Sequence, residues 1–164
     1  IRVLAGDSAS AIAESEEART RLEARLRERP DDGFAMTQLS WVYLALGRKA
    51  DALRMAHQAA EWLPIEKDAF GGPSFAVGLA QIQARTGEAP EAFKTLRHLL
   101  SIPAGIAVSL NRLKIDPVWD PVRSVPEFQQ LLAGKDEIGG YPGYGQLKPG
   151  DPRFEKIPPT RAPK

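Results

Sequence analysis

The sequence contains no cysteine and only two histidines among its 164 residues. Without cysteine there is no disulfide framework, no thiol nucleophile and no zinc site built on thiolates. The two histidines, His57 and His98, belong to no HExxH motif, and neither a GxSxG nor a GxxxxGK motif occurs. We expect both histidines to be surface residues. The sequence therefore predicts no catalytic residue, no metal site and no cofactor.

An excess of charge of one sign is also lacking. The 22 Lys and Arg against 21 Asp and Glu give a net charge of +1, and the two signs are interspersed. Without a basic block, the chain has no electrostatic footprint for nucleic acid. The longest uncharged stretches, residues 69–84 and 99–111, are interrupted by Gly, Pro, Ser and Gln and are too short to span a bilayer. We therefore expect no nucleic-acid binding and no membrane insertion by this segment.

The chain begins at Ile1 rather than at methionine, so we expect it to be a piece of a longer protein. The missing cysteine fits a reducing compartment, which favours a cytoplasmic location. A periplasmic location is the alternative if the missing N-terminus carries a signal or an anchor.

A 34-residue spacing stands out among the features that are present. Pro30 and Pro64 lie 34 residues apart, and each ends an apolar, helix-like run. Gly47 divides the stretch between them into two amphipathic halves. This period is typical of a helix–turn–helix repeat, and such repeats usually bind other proteins.

The apolar periodicity predicts helices over about 10–29, 33–46, 49–63, 73–86, 89–101, 106–113 and 126–133. Pro30 ends the first helix and Asp32 is a candidate N-cap for the second, which Gly47 then ends. Asp-Pro pairs at 116–117 and 120–121 predict two tight turns, each with an aspartate cap. We expect one helical domain over residues 1–133.

The composition changes in the C-terminal extension, residues 134–164. This segment holds 6 of the 14 glycines and 6 of the 14 prolines, so neither helix nor strand is predicted there. Its apolar residues, Tyr141, Tyr144, Phe154 and Ile157, predict that it docks on the helical body or on a neighbouring copy. It would then cap the open end of the body or occupy a groove, and the alternative is a linker that docks nowhere.

A family resemblance depends on two short sets of residues. The first set, in the helix predicted over 33–46, is Met36, Leu39, Ser40 and Tyr43. The second set, in the next helix and the proline that follows it, is Ala52, Ala56, Ala59 and Pro64. With them, residues 31–64 resemble a tetratricopeptide (TPR) repeat. A more divergent copy follows at an offset of 40, with Leu79, Ala80, Gly87, Ala92 and Leu96 in register. Residues 10–30 resemble the second helix of a preceding repeat. Residues 99–133 resemble the end of TPR segments in bacterial regulatory proteins, which often fuse them to transcription-factor, cyclase or kinase domains.

The resemblance implies an all-α fold, a short TPR-like solenoid of antiparallel helix pairs with an irregular C-terminal cap and a Gly/Pro-rich tail. It also implies a concave groove lined by the first helix of each repeat. The groove positions are Phe34, Thr37, Gln38, Trp41, Leu44, Ala45, Ser74, Val77, Gly78, Gln81, Ala84 and Arg85. This mixture of apolar side chains and a few polar donors suits a peptide or helix better than a phosphate.

Two groove positions have alternative interpretations. Trp41 lines the groove or packs against the first helix as a core residue. Arg85 binds a carboxylate or is a solvated cation at a helix end.

The leading hypothesis for function is a non-catalytic interaction or regulatory module of a larger bacterial protein. It would bind a protein segment or peptide in the groove, or act as a dimerising scaffold. One alternative is a small-molecule sensor, in which the Gly/Pro-rich tail closes over a pocket that contains Trp41 and Gln81. Another is a small enzyme with a site at the end of the solenoid, where Asp116 and Asp120 would form an acid–base pair. Capping explains both aspartates without catalysis.

Overall fold

The computed structural model of the protein describes residues 8–102, 104 and 107–134, and all regular structure within them is helical. The all-α prediction is confirmed for that part of the chain. The helices are α1 (Ser8–Glu28), α2 (Gly33–Ala45), α3 (Lys49–Trp62), α4 (Gly72–Thr86), α5 (Ala89–Ser101), α6 (Leu110–Ile115) and α7 (Pro126–Ala133), with a 3-10 helix (Pro117–Val122) before α7. No helix among these residues is long and apolar enough to cross a membrane. The predicted docking of Tyr141, Tyr144, Phe154 and Ile157 lies outside the described residues.

The same turn joins α2 to α3 and α4 to α5. Gly47 and Gly87 adopt left-handed backbone conformations, with φ of 74° and 104°. The residue after each glycine donates its N–H to a carbonyl five positions back, Arg48 to Tyr43 at 2.8 Å and Glu88 to Gln83 at 2.9 Å. Such bonds satisfy carbonyls at a helix C-terminus. The chain thus repeats one helix-hairpin turn after 40 residues.

The two hairpins pack side by side, so that α2 and α4 run parallel. Near the N-terminal ends of both helices, the Phe34 and Phe75 rings are 5.3 Å apart. Near their C-terminal ends, the Arg85 guanidinium lies 6.0 Å from the Trp41 ring centroid. Because both contacts advance in the same direction along the two helices, α2 and α4 are parallel neighbours.

The first core cluster lies between α1, α2, α3 and one side of α4. Its buried members include Leu39, Tyr43 and Ile82, and the small Ala52 and Ala56 let α2 and α3 approach closely. Larger side chains at Ala52 and Ala56 are therefore expected to overpack the interface between α2 and α3.

A polar contact joins α1 to this cluster. The Tyr43 hydroxyl donates to Glu23 at 2.8 Å, and Arg19 donates to both carboxylate oxygens of Glu23. These hydrogen bonds, that of Arg19 first, lower the pKa of Glu23 below its usual range. The first helix is therefore fixed by a hydrogen-bonded carboxylate as well as by apolar packing.

The second core cluster lies between the other side of α4, α5, α6, the 3-10 helix and α7. Phe93, Trp119 and Phe128 are its largest fully buried side chains. Phe128 stacks on Trp119 with ring centroids 5.9 Å apart and lies 5.6 Å from Phe93. The C-terminal elements therefore form a continuous core with α4 and α5.

The region after α5 differs from the prediction in two ways. The helix predicted over 106–113 begins only at Leu110, because Ser109 is extended and its side-chain oxygen accepts the Arg112 N–H at 3.2 Å. The two predicted tight turns form one 3-10 helix. Asp116 caps it through a 3.0 Å bond to the Val118 N–H, whereas Asp120 pairs with Arg123.

Candidate functional site

The candidate site is the surface formed jointly by α2 and α4, which we call the α2/α4 face. On α2, Leu39 and Tyr43 lie on the side of the helix that is buried in the first cluster, so the opposite side of the helix faces outward. On α4, one side contributes Ile82 to the first cluster and the other side faces the second cluster. Only a narrow strip of α4 is left for the face.

The predicted groove residues fall into three groups. The exposed ones are Phe34, Gln38, Ala45 and Ser74, and the half-buried ones are Thr37, Trp41, Leu44, Gly78, Gln81 and Arg85. Val77 and Ala84 are buried in the second core cluster, at 9% and 5% exposure. Val77 and Ala84 therefore offer little surface to a partner, and their place in the groove stays a prediction. They are buried because the C-terminal elements cover this side of α4.

An aromatic trio marks one end of the face. The Phe34 ring lies 5.9 Å from Trp62 and 5.3 Å from Phe75, and Trp62 and Phe75 are themselves 5.3 Å apart. The rings meet at steep angles, the arrangement that aromatic quadrupoles favour. Phe34 is still 63% exposed, so the trio presents one ring to solvent on a support of two others.

Gly33 makes this arrangement possible. A Cβ at that position would lie 2.5 Å from Trp62 Cδ2, which is an overlap. The glycine thus lets the indole lie directly over the first turn of α2. Sequence reasoning missed Trp62 and Phe75, and the signal that could have indicated them is a glycine inside an otherwise well-formed helix start.

The middle of the face is where α2 and α4 approach each other. A Cβ built on Gly78 would lie 3.9 Å from Thr37 Cγ2, an ordinary van der Waals distance. Gln81, one turn further along α4, lies beside a cleft between α4 and residues 107–119. That cleft has a volume of about 10 Å³, room for about one water molecule. The cleft by itself has no room for a small-molecule ligand, and the sensing hypothesis stays a prediction.

Trp41 and Arg85 form the other end of the face. Trp41 is half-buried against the first cluster and borders the Arg85 guanidinium, so it belongs partly to the core and partly to the surface. Arg85 Nε donates to the Val118 carbonyl at 3.1 Å, and a second guanidinium nitrogen reaches the Pro117 carbonyl at 3.4 Å. The arginine therefore fixes the 3-10 helix to α4, a role that neither sequence interpretation included.

The two aspartates of the enzymatic alternative are already engaged by protein groups. Asp116 accepts a backbone N–H and Asp120 is paired with Arg123 at 2.8 Å. Within the described ranges, no group of three His, Cys, Asp or Glu side chains could hold a metal ion. Structural contacts thus account for both carboxylates.

Comparison with family models, curated proteins and solved structures found no significant match. The resemblance to TPR proteins therefore stays a prediction from the residue pattern.

Proposed function

We propose that the chain is a non-catalytic protein-interaction module, built as a short TPR-like solenoid, that binds a peptide or helix across the α2/α4 face. The solenoid part of this proposal is supported by the repeated glycine turn of the two hairpins and by the parallel packing of α2 and α4. The observation that carries the function is Phe34, which is 63% exposed while resting on Trp62 and Phe75. In this proposal the module belongs to a larger bacterial regulatory protein.

A supported aromatic ring is a good anchor for a partner. The trio restricts the Phe34 side chain before binding, so less rotamer freedom is lost when a partner covers it. Aromatic residues, phenylalanine included, are also enriched at protein interfaces. Around Phe34, the exposed Gln38 and Ser74 offer polar groups for the backbone of a bound peptide.

The dimensions of the face limit the length of the ligand. Phe34 and Trp41 are seven residues apart on one helix, about 10 Å along its axis. A segment of about three extended residues, or about two helical turns, spans that distance. We therefore expect the core of the recognised motif to be short.

A dimerising scaffold is the second candidate, because a further aromatic residue is exposed outside the face. Phe70 is 85% exposed in the loop before α4. Asp68 Oδ1 accepts the Phe70 and Gly71 N–H groups at 2.9 and 2.8 Å, which fixes this loop. In a dimer of this kind, Phe34 and Phe70 would contact a second copy of the chain.

Selection from a displayed library of random peptides tests the proposal. We expect the chain to enrich short motifs with an apolar anchor and Phe34→Ser to weaken their binding about tenfold or more, as loss of an interface hot spot does. The matched control is Ile12→Ser, which removes an apolar residue of 53% exposure on α1, a helix that does not form the face. Equal binding to the Phe34→Ser variant, or equal weakening by both variants, would contradict the proposal. If the chain instead forms a concentration-dependent dimer that Phe34→Ser dissolves, the scaffold is correct.

A further inference from the structure

A cavity of about 410 Å³ lies between α5, α6 and α7. None of its lining residues belongs to α2 or α4, so it is separate from the α2/α4 face. Leu100, Leu110 and Leu131 give it an apolar lining, each contributed by a different helix. Arg97 and Gln130 add hydrogen-bond donors. The volume is within the range of about 300–1,000 Å³ that is typical of ligand sites.

The position of the cavity points to its occupant. Gly134, the last described residue of α7's C-terminal cap, is one of the residues that line it. The chain continues for 30 residues beyond Gly134. The C-terminal extension therefore starts at the cavity itself, and any site within reach of a short tether meets a high effective concentration of that segment.

The composition of the extension matches the chemistry of the cavity. Tyr141 and Tyr144 follow Gly134 by seven and ten residues, and seven residues of chain reach up to about 24 Å. Gly139 and Gly140 precede Tyr141, and two glycines in succession permit the chain reversal that a return to the cavity requires. A tyrosine has an apolar body and a polar tip, which suits leucines flanked by an arginine and a glutamine.

We propose that this cavity is the docking site of the protein's own C-terminal extension, with Tyr141 and Tyr144 as the anchors. Docking there covers apolar side chains of α5, α6 and α7 at the open end of the helical body, as terminal caps of repeat proteins do. The inference is independent of what binds to the α2/α4 face.

Because these 164 residues contain no cysteine, engineered thiol pairs permit a clean test in this chain. Gln130→Cys with Pro142→Cys joins the cavity to the segment between the two tyrosines. The matched control is Gln129→Cys with Pro142→Cys, because Gln129 is the adjacent exposed residue of α7 and instead donates to the Arg123 carbonyl at 2.6 Å. The length of chain between the two thiols differs by one residue in the two pairs, so the pairs differ mainly in the direction of the first thiol.

The measurement is the effective concentration of each thiol pair in a glutathione redox buffer, after circular dichroism has shown the helical body intact. We expect the effective concentration of the 130–142 pair to be about ten times that of the 129–142 pair, and a ratio under about three contradicts the proposal. Adding Tyr141→Ser and Tyr144→Ser to the 130–142 pair should lower its effective concentration to that of the control, and an unchanged value shows that the tyrosines are not anchors.

A third pair, Ser74→Cys with Pro142→Cys, reports on the α2/α4 face. If that pair forms most readily, or if the products are disulfide-linked dimers, the extension docks elsewhere and the proposal is wrong.

Discussion

Gln83 is a buried polar residue whose removal should stabilise the protein. It is 4% exposed, and its Oε1 has no hydrogen-bond partner in the described part of the chain. In the first hairpin, the residue 40 positions earlier is Tyr43, whose hydroxyl is satisfied by Glu23. At the 34-residue spacing that relates α1 to α3, the position of Glu23 corresponds to His57, which is exposed and does not bond to Gln83 Oε1. The second hairpin thus keeps a polar side chain without the corresponding partner.

The expected effect follows from the penalty for an unpaired buried acceptor, about 1–3 kcal/mol. Gln83→Met nearly preserves the length and volume of the side chain and removes that penalty. We expect the free energy of unfolding to rise by about 1–2 kcal/mol and Tm by about 2–8 °C.

Urea titration followed by circular dichroism measures this change, with the slope of the unfolding free energy unchanged. Gln81→Met is the control, because Gln81 is half-buried and should change stability by less than about 0.5 kcal/mol. If Gln83→Met destabilises the fold by about 1 kcal/mol or more, the Gln83 amide makes a bond in the folded protein that this account lacks.

Three further predictions concern the packing of α1, α2 and α4. Gly33→Ala should destabilise by about 1–3 kcal/mol because its Cβ would overlap an indole ring, whereas Gly78→Ala, with open contact, should stabilise by about 0.5–1 kcal/mol. A rise in Tm for Gly33→Ala, or a fall in Tm for Gly78→Ala, would refute the packing. Leu39→Ala, at a site 2% exposed, should cost about 2–5 kcal/mol, and a loss below about 0.5 kcal/mol in denaturant would refute the repeat register. The pKa of Glu23 is lowered, mainly by Arg19, so its contribution to stability is present above pH 4.5 and is lost as pH falls through the lower folded-state pKa. Glu23→Gln should therefore reduce the acid dependence of Tm below pH 4.5, and an unchanged profile contradicts the assignment.

The helix boundaries that the sequence could predict depend on local chemistry. Asp32 caps α2 through a 2.9 Å bond to the Ala35 N–H, and Gly47 and Gly87 adopt the left-handed conformation that ends a helix. Both signals act within a few residues, so they are visible in a single sequence. The start of α6 was mispredicted because apolar residues from position 106 suggested a helix, whereas the extended Ser109 sets the start at Leu110.

The candidate site could be predicted only in part, because its surroundings come from distant residues. The exposed position of Phe34 follows from the helix register. The support from Trp62 and Phe75, and the burial of Val77 under the C-terminal elements, depend on tertiary packing that no local pattern encodes. The contact of Arg85 with the 3-10 helix likewise joins residues more than 30 positions apart.

The central claim is that the α2/α4 face binds a peptide, and chemical-shift mapping tests it most directly. A peptide selected on the chain is titrated into the isotope-labelled protein. The account predicts that the largest shifts fall on the amides of Phe34, Gln38 and Ser74 and on the Trp41 indole N–H. Shifts concentrated on the cavity at Arg97 and Gln130, or on the exposed side of α1, with the α2/α4 face unchanged, would contradict it.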